Sequence, residues 1–112
     1  MKPTKQDEQA AFAAIDAVGR LYGLTRDAIL AKRRFQDLVD ARQMVMRLLH
    51  DAGLSHSRIA LVLFGDMRHR TTVLYGLKRI NGLLDTENEL HERLLAAKAR
   101  FSSTREKPDF SP

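Results

Sequence analysis

Cysteine is absent from the 112 residues. This excludes a disulfide framework and any zinc site built on thiolates. Long apolar stretches are missing too. None exceeds six residues, the length of Ile59 to Phe64, against the ~20 a helix needs to span a bilayer. The leading residues MKPTKQDEQ are polar and hold no signal-peptide core. Strand-like alternation of useful length, internal repeats and low-complexity blocks are likewise absent. No glycine precedes Lys-Ser or Lys-Thr at the spacing of a phosphate-binding loop. The four histidines, His50, His56, His69 and His91, include no pair at the i, i+4 spacing of a helical zinc site. No base is placed to activate a serine or threonine. The expectation is therefore a protein without catalytic constellation, cofactor, metal or small-molecule substrate.

Acidic residues are the other shortage. Fourteen face nineteen lysines and arginines, for a formal net charge of +5 and a pI near 10.0. An anionic partner follows, and a nucleic acid fits better than a membrane. The excess is local. Arg26 to Arg47 holds six basic and three acidic residues, and Arg58 to Arg79 holds five and one. A cytoplasmic, nucleoid-associated protein is expected.

What is present is helical periodicity, with enough apolar content, 44%, for one core. Thr4 caps a first helix, with Asp7 as capping-box partner and Ala11, Ala14, Ile15, Val18 and Tyr22 on one stripe. Gly23 stops it. Thr25 caps a short second helix that ends in Lys32-Arg33-Arg34. Phe35 and Gln36 read as a connector, and Asp37 as the cap of a third helix. Its stripe, Ala41, Met44, Val45, Leu48, Leu49 and Ala52, is the most regular in the chain and marks the centre of the core. Gly53 ends it. Ser55 or Ser57 caps the fourth helix. Thr86-Glu87-Asn88-Glu89 reads as a capping box for a sixth, with Leu90, Leu94, Ala97 and Phe101 as its stripe. That stripe either closes the core or pairs with another copy. Gly82 weakens the end of the fifth helix. The fold expected is all-α, a five- to six-helix bundle over residues 1–101, with a disordered tail over 102–112.

The stretch Gly53 to Ile80 organises the rest. The fourth helix carries Ile59, Val62 and Leu63 and ends at Gly65. A polar turn, Asp66-Met67-Arg68-His69, leads to a fifth helix that starts near Arg70. Val73, Leu77, Ile80 and Leu84 keep its inner face. Its other face shows Arg70, Thr71, Thr72, Tyr75, Lys78 and Arg79. Guanidinium forks suit guanine and phosphate, and threonine methyls suit thymine methyls. The pattern is a helix-turn-helix over about 55–84, with the second helix as reader. Against it stands a helical interaction module whose positive charge is incidental. Structured RNA is disfavoured because an A-form major groove does not admit a helix.

Three segments, LYGLTRDAILAKRR, ARQMVMRLL and RHRTTVLYGLKRI, carry a resemblance to the C-terminal DNA-binding domain of the bacterial replication initiator DnaA. In order and near the family's spacing, they span about three quarters of the chain, Val18 to Phe101. The resemblance implies a DnaA C-terminal/Trp-repressor-like fold and sequence-specific binding to double-stranded DNA. It also implies roles: Arg68, His69, Arg70, Thr71, Thr72 and Tyr75 at the major groove, Arg34 with Arg33 at the minor groove, and Lys32, Arg42, Gln43 and Lys78 on phosphates. The family's signature R-D-H-T-T-V is altered here, with His69-Arg70 where an aspartate-histidine pair stands, so the family's usual binding sequence is not carried over. The initiator's ATPase module has no counterpart in these residues. The setting expected is a bacterial or phage-like transcription regulator, or its DNA-binding part, acting as a monomer on DNA. A replication role, as initiator fragment or competitor for initiator sites, is the alternative. Transcription or replication proteins are possible further partners.

Overall fold

The third helix sits where its stripe places it. In the computed structural model, which describes residues 2–31 and 35–106, α3 (Gln36–Asp51) lies against every other helix. These are α1 (Lys5–Tyr22), α2 (Arg26–Leu30), α4 (His56–Phe64), α5 (Arg70–Thr86) and α6 (Asn88–Glu106), with a 3-10 turn, Met67–His69, between α4 and α5. No strand occurs among the described residues. Ala41, Met44, Val45, Leu48 and Leu49 are all buried. Burying a side chain of leucine or methionine size is worth ~1.5–3 kcal/mol, so this one face supplies much of the core.

The predicted stops work as glycine chemistry requires. Gly23 and Gly65 take left-handed φ values of 68° and 76° and close α1 and α4 by donating their N–H to Gly19 and Leu61 carbonyls. Thr4, Thr25 and Ser55 each accept a first-turn N–H, from Asp7, Ala28 and Arg58. The α6 stripe Leu90, Leu94, Ala97 and Phe101 is buried in the single chain, largely against α1. It closes the core.

Three boundaries depart from expectation. First, α3 starts at Gln36 with Phe35 as its N-cap, and Asp37 lies in the first turn rather than capping it. Leu38 is buried, and Gln36 donates to Asp40 at 2.8 Å, one turn on, which draws the start forward. Second, the predicted capping box at Thr86 does not form. Thr86 is the last residue of α5, and its hydroxyl donates back to the Leu83 carbonyl. Leu83 and Leu84 pack on the core, so α5 runs on past Gly82 and leaves Glu87 as the sole link to α6. Third, α6 continues to Glu106, so the expected tail does not begin at Ser102; residues 107–112 lie outside the described residues.

Asp7 has a use that local pattern does not reveal. Its carboxylate, 5% exposed, accepts two hydrogen bonds from the Arg58 guanidinium at 2.7 and 2.9 Å. This joins the start of α1 to the start of the helix-turn-helix, 51 residues away in sequence. The Arg58 hydrogen bonds hold the Asp7 carboxyl below its ordinary value of 3.8 despite the opposing effect of burial. The stability it contributes is complete above the unfolded-state value and is lost as pH falls through the lower folded-state value. Arg58→Ala is expected to lower the melting temperature more than Asp7→Asn, because it strands a buried carboxylate while Arg58 itself is half exposed. Melting curves between pH 2 and 7 should also show a weaker acid dependence in Asp7→Asn than in the parent chain.

Candidate nucleic-acid interface

The seat of α5 is set by a missing side chain. Gly76 faces α3, and a Cβ there would lie 2.7 Å from Met46 Sδ and 3.3 Å from Gln43 Cγ. Val73, Leu77 and Ile80 are buried on the same side. Helices this close fix the rotation of α5 about its axis. The outward face is then determined: Arg70, Thr71, Thr72, Tyr75, Lys78 and Arg79 are all exposed. Tyr75 is 63% exposed; Lys78 Nζ lies 5.8 Å from its ring centroid.

Along this face the arginines divide. Arg70, the first residue of α5, and Thr71 and Thr72 after it make no side-chain hydrogen bond or ion pair among the described residues. Arg79, one helical stretch on, is tied to α3: its Nη1 donates to Asp40 Oδ1 at 2.8 Å and to Gln43 Oε1 at 2.7 Å. Free donors therefore cluster at the N-terminal end of α5. That end carries no side-chain cap; the 3-10 turn runs straight into it, with the Arg70 N–H donated to the Met67 carbonyl, and the helix dipole adds positive potential there.

The turn before α5 is built by Asp66. One carboxylate oxygen accepts the Arg68 backbone N–H at 2.8 Å. The other accepts Arg68 Nε at 3.0 Å and Nη2 at 2.8 Å. These bonds hold the Asp66 carboxyl at about 2. The His69 ring rests 5.3 Å from that of Phe64, at the end of α4. Arg68 stays open, with 88% of its side chain exposed.

Known proteins match this arrangement in sequence. The profile of the family described as "Bacterial dnaA protein helix-turn-helix" matches residues 13–80, which run from α1 to the middle of α5. The chain belongs to this family. Similar proteins include the chromosomal replication initiator protein DnaA of Chloroflexus aggregans, 28% identical over 99 residues that cover 86% of the chain. That of a Synechococcus species is 35% identical over 82 residues, 72% of the chain. The chain spans about one fifth of these relatives' length, 20% and 17%. No solved structure matches it significantly.

Membership in the DnaA helix-turn-helix family implies DNA binding. The structure brings Arg68, His69, Arg70, Thr71, Thr72, Tyr75 and Lys78 onto the turn and outer face of α5. Arg42 and Gln43 are placed differently. Arg42 donates Nε to the Ile29 carbonyl at 2.7 Å and Nη2 to that of Ala31, holding the end of α2 against α3. Gln43 is engaged by Arg79. Lys32, Arg33 and Arg34 lie outside the described residues. Sequence reading missed Asp66 and Asp40 as partners of arginines on this surface. The Asp66-Met67-Arg68 spacing, that of an aspartate closing a turn on the N–H two residues on, was the available signal.

Two substitutions test the seat of α5. Gly76→Ala requires the buried Met46 to shift its Sδ and Gln43 Cγ to give by a few tenths of an ångström, and should destabilise mildly. Gly76→Leu forces α5 off α3 and should cost ~1–3 kcal/mol, read by denaturant unfolding, with DNA affinity falling further than stability alone explains.

Proposed function

We propose that the chain binds double-stranded DNA sequence-specifically, with α5 entering the major groove N-terminus first. The observation that carries this reading is the cluster of uncommitted donors, Arg70, Thr71 and Thr72, at the leading end of a helix whose other face is fixed in the core. Thr71, Tyr75 and Lys78 follow one stripe away from that end. The threonines meet base edges or thymine methyls, and Lys78 meets phosphate. Arg42 acts indirectly, by anchoring the end of α2 from which Lys32, Arg33 and Arg34 depart. Arg34, with Arg33, reaches the neighbouring minor groove in this proposal, and Lys32 adds a phosphate contact. Two grooves read by one domain suit a monomer on a site of about one helical turn, roughly ten base pairs. The α6 stripe is used up inside the chain, which also favours a monomer.

Such a domain acts by occupying its site. We take its use to be transcription regulation, in a cytoplasmic, nucleoid-associated setting and without catalysis. The names of the similar proteins favour a second reading, in which the sites are those of a chromosomal replication initiator.

Selection from a random duplex library tests both. One enriched motif about ten base pairs long, bound tighter than scrambled DNA, supports the reader; its likeness to initiator sites separates the two uses. Weak binding without a motif, abolished by salt, contradicts the reading. On the selected site, Thr72→Ala should lose roughly 1–3 kcal/mol and scrambled DNA should be unaffected. Lys78→Ala should weaken all duplexes alike and reduce the salt slope by about one.

A further inference from the structure

The Asp66–Arg68 pair leaves one edge of a guanidinium in a fixed direction. Arg68 uses Nε–H and one Nη2–H on Asp66 Oδ2. Asp66 is itself held, because its Oδ1 accepts the Arg68 backbone N–H. Three N–H groups remain, and two of them, one on each of Nη1 and Nη2, form the terminal edge that points away from the carboxylate. Two parallel donors match the O6 and N7 acceptors of guanine in the major groove. A phosphate also accepts two such donors, but the carboxylate argues against one. It cancels the arginine's charge and would repel a phosphate, while it leaves hydrogen bonds to a neutral base edge intact. The pair stands directly ahead of the end of α5 that carries Arg70, Thr71 and Thr72.

We infer that Asp66 is a specificity-determining positioning residue: it presents Arg68 to a guanine in the target site. This rests on the DNA-binding reading above and names one base that the site contains. A freely rotating arginine loses side-chain entropy on docking. Asp66 removes part of that loss before DNA arrives, and only for the orientation that fits a base edge.

Asp66→Asn separates the brace from the turn. The asparagine carbonyl still accepts the Arg68 N–H, while its NH2 group cannot accept from the guanidinium. Unchanged melting temperature checks that the turn persists. The affinities of the parent chain, Asp66→Asn, Arg68→Ala and the double variant are compared on the selected site and on versions substituted at each position. Asp66→Asn should lower the preference for guanine at one position roughly tenfold, and steepen the salt slope as Arg68 turns to phosphate. The double variant should lose no more than Arg68→Ala alone. If Asp66→Asn keeps the same guanine preference, or binds all sequences more tightly and equally, the inference is wrong while DNA reading stands. If the parent chain selects no motif, the DNA-binding reading fails and takes this inference with it.

Discussion

Everything on the candidate surface depends on how near α5 comes to α3. At Gly76 there is no room for a side chain unless Met46 yields. That contact, with Val73, Leu77 and Ile80 beside it, sets which residues of α5 look outward. A rotation of one residue, 100° about the helix axis, would put Thr72 where buried Val73 sits and move Val73 to the half-buried place of Leu74. The hydrophobic effect therefore specifies the polar face indirectly, by leaving it no other place to go.

Electrostatics then refines that face. Three aspartates each take an arginine in hand, with different consequences. Asp7 binds Arg58 at the base of the helix-turn-helix and ties it to α1. Asp40, with Gln43, holds Arg79 down onto α3. Asp66 holds Arg68 up, with most of its side chain in solvent. The result is a graded surface: unpaired donors at the leading end of α5, a braced arginine just before it, and a withdrawn one farther along. A net charge of +5 describes attraction to any polyanion; this gradation sets one end of one helix apart from the rest of the surface.

Periodicity carried most of the fold. The stripes of α1, α3, α5 and α6 are buried except at Tyr22, Ala52 and Leu84, which are half-buried, and Thr4, Thr25, Ser55, Gly23 and Gly65 end helices as their chemistry dictates. Local signals failed where tertiary packing opposed them. The box at Thr86 lost to Leu83 and Leu84, whose burial keeps α5 helical to its last residue. The cap at Asp37 lost to Leu38 and to the Gln36–Asp40 contact. Within the site, the outer face of α5 was legible because it is what the stripe leaves over. The roles of Asp7, Asp40 and Arg42 were not, since their partners lie 51, 39 and 13 residues away and no local pattern relates them. Arg42 and Gln43 were expected on phosphates from the family resemblance; both lie off the α3 stripe, and being off a stripe also permits the contacts with neighbouring helices and loops that they make.

The most direct test of the account is a map of backbone amide shifts by NMR as a duplex carrying the selected site is titrated into the protein. The account predicts large shifts from Arg68 through Lys78 and small ones along Leu90 to Phe101. Shifts concentrated on α6, with the leading end of α5 unmoved, would contradict it.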